Sequence, residues 1–284
     1  MKIGAHVSTS GGLDKGIERA AALGAEAVQI FGSAPQMWRA AFPKPEVIES
    51  FKQQAEATGL AGSIFLHGVY LVNLATELPV NLQKGVDSLT FYMDLADLIG
   101  AQGVIFHVGS HKGSGFDAVL PQITESLGQV LARAKGNANL ILENNAGQGA
   151  NIAGNFPEIR RIMESVGSPR LKVCLDTQHS YASGYDVSTP DGLERAMEEF
   201  EHEIGVDNLV AVHANDSKIP LGKPVDRHEN IGDGFIGNEG FLNIMKHPAF
   251  KDVPFLLEVP GIDRQGPDEE NLKRLKDLRE QALG

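Results

Sequence analysis

Histidine, aspartate and glutamate recur at one kind of place in this chain, the last position of a short apolar run. Seven residues sit there: His6, His67, His107, Glu143, Asp176, His213 and Glu258. Two further motifs, read as loops, add donors. In DTQH, Asp176 is followed three residues later by His179, and in VDRHE, Asp226 and His228 are two apart. An extended backbone would point that last pair the same way. Imidazoles and carboxylates gathered in one concave site are ligands for zinc, manganese or iron, whereas an oxygen-only magnesium site needs no such histidine. Apart from His6, the candidates are nine donors, five histidines and four carboxylates. One tetrahedral zinc takes about four ligands, so nine suit two or three ions with shared carboxylates. Clustered divalent ions suit displacement at phosphorus, one activating water and another stabilising the departing oxygen. The residues alone reach a multi-metal hydrolase or isomerase and do not choose its substrate.

Such donors must be positioned by elements, and one alternation supplies them. Apolar runs of strand length lie at 2–7, 27–31, 63–67, 103–107, 139–143, 172–176, 209–213 and 254–258. Between them are stretches with helical spacing of apolar residues, such as 45–58, 81–99, 157–166, 191–204 and 268–283. Gly24, Gly59, Gly100 and Gly205 stand where a left-handed helix cap costs least. Eight strand–helix pairs predict a closed parallel (β/α)8 TIM barrel, one catalytic domain over residues 1–284. The alternative, an open doubly wound sheet, would favour a glycine-rich phosphate loop after the first strand, and HVSTSGG is not GxGxxG. In the barrel all strand C-termini reach one rim, so donors far apart in sequence converge on one mouth.

Composition bounds the function. With 284 residues, 42% apolar and 22% charged, the chain can bury a large core. No apolar run approaches the roughly 18 residues of a membrane span, and MKIGAHVSTSGG lacks the pattern of a secretory signal. The single cysteine, Cys174, excludes an internal disulfide framework and fits a reducing, cytoplasmic setting. A net charge of −12 argues against whole-surface binding to nucleic acid but not against a local site. Three dications would halve that charge and could leave the rim positive.

At these residues the chain resembles the endonuclease IV family, the zinc-dependent abasic-site endonucleases of base-excision repair, whose fold is a xylose isomerase-like barrel. The resemblance runs from GAHVSTSGG to the last strand. It is carried by HGVYLVNL (67–74), FHVGSH (106–111), LENNAGQG (142–149), CLDTQHSYASGYD (174–186), VHANDSK (212–218) and VDRHENIGDGFIG (225–237). It implies three zinc ions, with manganese or iron possible at some sites. His67, His107 and Glu143 would hold the first, and Glu143 would bridge to the second, completed by Asp176, His213 and Glu258. His179, Asp226 and His228 would hold the third. It implies hydrolysis of the phosphodiester 5′ to an abasic site in duplex DNA, leaving a 3′-hydroxyl and a 5′-deoxyribose phosphate, with trimming of blocked 3′ ends. It further implies that a metal-activated hydroxide attacks, that Glu143 and Glu258 are the catalytic carboxylates, and that Glu258 would help orient or deprotonate the water.

The resemblance also implies DNA contacts. Tyr70 matches the family's inserted tyrosine and Leu71 lies beside it. In FGSAPQMWRAA (31–41), Trp38 and Arg39 align with the second recognition loop, while Gln36 stands where an arginine is common. Losing that cation should reduce salt sensitivity. Gln178 stands where a cysteine is common and, not being a ligand, is expected to matter little for metal. His6 is expected to make a rim hydrogen bond, His111 to lie near the site, and His202 and His247 to be solvated. Lys218 fits a phosphate contact or ordinary surface. The family implies a monomer without an obligate protein partner. Two other readings are a sugar isomerase or epimerase on the related barrel, which needs about one metal site and would leave His179, Asp226 and His228 idle, and a non-catalytic lesion sensor.

Overall fold

The computed structural model describes residues 1–34, 36–38 and 41–284. Eight parallel strands close a barrel: β1 (Ile3–Val7), β2 (Ala27–Phe31), β3 (Ile64–His67), β4 (Gly103–Phe106), β5 (Asn139–Glu143), β6 (Leu171–Asp176), β7 (Leu209–His213) and β10 (Phe255–Leu257). The order around the barrel is β1-β10-β7-β6-β5-β4-β3-β2, so β1 pairs with both β2 and β10 and seals the sheet. Each observed strand falls within one residue of its predicted bounds.

Helices α1 (Leu13–Ala22), α2 (Pro45–Ala57), α3 (Pro79–Ile99), α4 (Phe116–Arg133) and α5 (Phe156–Val166) follow the first five strands. The strand β6 is followed by α6 (Thr177–Ser183) and α7 (Pro190–Glu203), and the chain ends with α8 (Gly237–Lys246) and α9 (Glu269–Leu283). Prolines at the first turns of α2, α3, α5 and α7 fit a place where no backbone N–H is needed. Gly100 caps α3 in the left-handed region, but Gly205, at φ 84° and ψ 129°, lies outside it. The DTQH motif is not a loop. The Asp176 side chain accepts from the amide of His179 at 2.8 Å, an N-cap that starts α6 directly at the strand end. A two-stranded antiparallel ladder, β8 (Asp216–Ser217) with β9 (His228–Glu229), carries the VDRHE segment.

The core has two layers. Ala27, Phe65, Ile105, Ile141, Cys174, Ala211 and Leu256 fill the barrel interior, while the larger apolar cluster lies between the sheet and the helices. At Gly4 a Cβ would stand 2.0 Å from the carbonyl oxygen of Ala27, so glycine lets β1 and β2 approach. Among the described residues, no helix is long and apolar enough to cross a membrane.

Candidate metal centre and DNA-facing rim

His67, Glu143, Asp176 and His213 are the last residues of β3, β5, β6 and β7, while His107 and Glu258 follow β4 and β10 by one position. The parallel barrel therefore brings all six to one mouth. His179 arrives from the first turns of α6, His228 from β9, and Asp226 from the loop that precedes it. Glu143 lies at the centre, its side chain fully buried among four imidazoles. Its Oε2 is 3.2 Å from His67 Nε2 and 3.4 Å from His107 Nε2. Its Oε1 is 3.1 Å from His213 Nδ1 and 3.3 Å from His179 Nδ1. Asp226 Oδ1 is 3.5 Å from His179 Nε2 and 3.4 Å from His228 Nε2.

In four of the rings one nitrogen is fixed by a protein acceptor, while His107 Nδ1 is buried without a partner. His67 Nδ1 donates to the Gly68 carbonyl at 2.7 Å and His179 Nδ1 to the Asn144 carbonyl at 2.9 Å. His228 Nδ1 donates to the Glu258 carbonyl at 3.2 Å, and His213 Nε2 to Gln29 Oε1 at 2.8 Å. Four of the five imidazoles thus commit one ring nitrogen to a protein acceptor and turn the other toward carboxylates. That is how a metal-ligating histidine is held. Glu143 Oε1, His179 Nε2, His213 Nδ1 and His228 Nε2 are buried with no hydrogen-bond partner. Orphaned polar atoms in a dry interior are costly. Two donors about 2.0–2.1 Å from one tetrahedral ion stand about 3.3–3.4 Å apart, close to the separations seen here. The residues fit divalent ions.

Three overlapping sets of donors lie within 4.8 Å of one another: His67, His107, Glu143; Glu143, Asp176, His213, Glu258; and Asp176, His179, His228. Asp176 thus stands between the second and third sets, its Oδ2 3.6 Å from His228 Nε2, where the sequence reading placed it in the second alone. Without ions the charges answer one another. Burial opposes the charge of His179, but the carboxylates of Asp176, Asp226 and Glu143 outweigh it and raise its pKa well above 6.5. Burial likewise opposes ionisation of Glu143, yet His107 and His213 hold its carboxyl well below 4.5. His107, half-buried at the mouth, is shifted down by desolvation despite Glu143.

The residues that orient these donors were mostly illegible in sequence. Asn215 Nδ2 donates to Asp176 Oδ2 at 2.7 Å and Asn144 Oδ1 accepts from the Asp176 amide at 2.6 Å. Their only sequence signal is a polar residue beside a strand-end donor. His6 makes the expected rim hydrogen bond, with Nδ1 donating to Glu258 Oε1 at 2.9 Å. His111 Nδ1 accepts from the amides of Gly113 and Gly115 and shapes its own loop. His202 is exposed beside Glu203 as expected. His247 is not simply solvated: its ring is largely buried, and Nδ1 accepts from the Ala249 amide to cap a short turn. Lys218 is exposed, 3.4 Å from Glu229.

Beside the cluster lies a cavity of about 630 Å³ lined by His6, Phe31, Ser33, Tyr70, His228 and Glu258 among others. Tyr70 is 66% exposed, with its ring edge-on to Phe31 and tilted against His67. Leu71 beside it is exposed. Gln36 is exposed, while Trp38 is half-buried, with the Lys84 ammonium 6.0 Å from its ring centroid. Arg39 lies outside the described residues.

Known proteins share this architecture. The family described as xylose isomerase-like TIM barrel matches residues 17–279. A protein of Halothermothrix orenii named "Probable endonuclease 4" is 38% identical over 277 residues, covering 97% of this chain and 99% of that one. One of Geobacter sp. with the same name is 36% identical over 280 residues, covering 98% and 99%. The crystal structure of endonuclease IV from Thermus thermophilus superposes with a TM-score of 0.87 at 32% identity, covering 99% of this chain and all of that one. A D-tagatose 3-epimerase-like protein, at 18% identity and a TM-score of 0.74, shares the fold.

Proposed function

The chain belongs to the endonuclease IV family, and we propose that it is a DNA-repair endonuclease that hydrolyses the phosphodiester on the 5′ side of abasic sites in duplex DNA. The products are a 3′-hydroxyl and a 5′-deoxyribose phosphate, and the same centre trims blocked 3′ ends. The observation that carries this reading is the set of imidazole nitrogens, without hydrogen-bond partners, converging on buried carboxylates around Glu143.

The reading assigns three zinc ions, with manganese or iron as alternatives at some positions. His67, His107 and Glu143 hold the first; Glu143, Asp176, His213 and Glu258 the second; and His179, Asp226 and His228 the third, with Asp176 close by. Bound there, the ions supply an activated water at neutral pH and offset charge on the phosphate and leaving oxygen, so no protonated acid is required. Glu143 offers one oxygen to each side of the cluster and so sets the spacing of the first two positions. Glu258 is held ionised, since His213 and His6 overcome the burial that opposes its charge. Its Oε1 is engaged by Gln29 and close to His6, which leaves Oε2 to hold the second ion, and from that position Glu258 would help orient the attacking water.

Tyr70 and Leu71 enter the duplex where the base is missing, and Gln36, Trp38 and Arg39 meet the strand beside it. Opening a duplex costs least at a damaged position. A tyrosine phenol ordinarily titrates at about pH 10, so Tyr70 inserts as a neutral ring. The same reading has residues 1–284 act as one catalytic domain, a monomer in the cytoplasm without an obligate protein partner.

The test is incision of a duplex carrying one tetrahydrofuran abasic analogue, before and after prolonged chelation and after zinc restoration. The analogue lacks the aldehyde needed for β-elimination, so a cut must be hydrolytic. Metal-dependent cutting on the 5′ side with an extendable 3′-hydroxyl is expected. No cutting by the fully metallated protein would end the nuclease reading and favour a small-sugar isomerase.

A further inference from the structure

Strand β2 ends in Phe31 and none of its residues is a metal-type donor. Two residues earlier it supplies Gln29, a fully buried amide in register with His6. Gln29 Oε1 accepts from His213 Nε2 at 2.8 Å, and Gln29 Nε2 donates to Glu258 Oε1 at 2.6 Å. His6 Nδ1 lies 2.9 Å from both that Glu258 oxygen and Gln29 Nε2 and closes the cluster. The consequences fall on two donors at once. With its Nε2 proton engaged, His213 turns the bare Nδ1 toward Glu143 Oε1 at 3.1 Å and Glu258 Oε2 at 3.3 Å. With Oε1 taking the Gln29 amide hydrogen, Glu258 presents Oε2.

We propose that Gln29 is a positioning residue that selects, through one planar amide, which atom of His213 and which atom of Glu258 meets the metal. The inference rests on the metal reading above and not on the nuclease activity. Only a side chain with an acceptor and a donor on one rigid plane serves both partners. An apolar replacement would leave His213 Nε2–H without an acceptor in a dry interior. Partners of this kind fix ring orientation and tautomer.

The test uses Gln29→Met, which removes both polar atoms at similar length, and Gln29→Asn, which keeps the amide but shortens its reach. Each protein is stripped and then titrated with Zn2+ in chelator-buffered solutions, and zinc is counted per chain. Both variants are expected to hold one zinc position about 10–100-fold more weakly than the parent. The stripped Gln29→Met protein should melt below the parent, because the His213 Nε2–H is left unpaired, yet still unfold cooperatively as a folded chain. On the tetrahydrofuran duplex, kcat should fall while KM holds. A folded variant that binds all its zinc with the parent's affinity would overturn the proposal, as would failure of both variants to fold. A parent that holds zinc but does not cut would remove the nuclease reading and leave this inference intact.

Discussion

Gln178 Nε2 donates to the carbonyl oxygen of Val225 at 3.1 Å, tying the start of α6 to the segment that carries Asp226 and His228. The same nitrogen lies 3.5 Å from Ser217 Oγ, and Ser217 is the ladder partner of His228. The sequence suggested that this position matters little for metal because it is no ligand; the fold gives it an indirect hold on two candidate ligands. Gln178→Ala is expected to cost about 1–2 kcal/mol of stability and to release one zinc per chain to a chelator sooner than the parent. Identical release curves would show that the ladder holds the segment unaided.

His228 stands between Asp176 and Asp226 and has no part in the first two donor sets. If its position serves the leaving oxygen, His228→Ala should reduce turnover by about 100-fold or more while changing affinity for an abasic duplex far less. Single-turnover cleavage and a binding titration on the same duplex separate the two. Equal losses would count against that assignment.

The loop from Gly232 to Gly237 is organised by one buried carboxylate. Asp216 accepts from the amides of Ser217, Gly232, Gly234, Ile236 and Gly237 at 2.7–3.3 Å. Asp216→Ala should therefore cost about 3 kcal/mol or more. Gly234→Ala should be costly for a steric reason, because its Cβ would lie 2.4 Å from Asp216 Oδ1 and 2.5 Å from the Ser217 carbonyl oxygen. Thermal unfolding checks both, and a melting temperature within a degree of the parent's would refute the account.

Proton linkage gives the stripped protein a defined pH profile. His179 and His213 have folded pKa values raised well above 6.5, burial being outweighed by their carboxylate neighbours and, for His213, by Cys174 as well. Their contribution is complete below pH 6.5 and is lost as pH rises through the raised values. Glu143 and Glu258 are lowered from 4.5, so their contribution is complete above pH 4.5 and is lost on acidification. Metal-stripped protein should be most stable between about pH 4.5 and 6.5. Zinc should reverse the alkaline decline, since it binds the deprotonated rings. Melting temperatures measured from pH 4 to 9 with and without zinc would decide it; a stripped protein that gains stability from pH 6.5 to 8.5 contradicts the linkage.

Tyr70 offers a separation of roles. Its ring touches His67 and Phe31 yet is mostly solvent-facing, so Tyr70→Ala should leave zinc content unchanged while weakening binding to an abasic duplex by about 1–3 kcal/mol. Zinc loss in that variant would assign the ring to packing instead.

Much of this protein is determined locally. Apolar runs of strand length ending in His67, Glu143, Asp176 and His213, separated by helical periodicity, specify a barrel with its donors on one rim. They do so because strand and helix patterns follow from neighbouring residues, and parallel closure sends every strand end to the same face. The motif spacing also pointed to the ligand types. What it could not specify was orientation. That DTQH begins a helix depends on one carboxylate reaching one amide. That Asp176 faces two donor sets, that Gln29 grips residues 184 and 229 positions away, and that Gln178 holds the segment of His228 are contacts between distant parts of the chain. Sequence periodicity records which face a residue occupies but not which atom it turns to a partner. That choice is made when the barrel closes and each buried donor must find an acceptor.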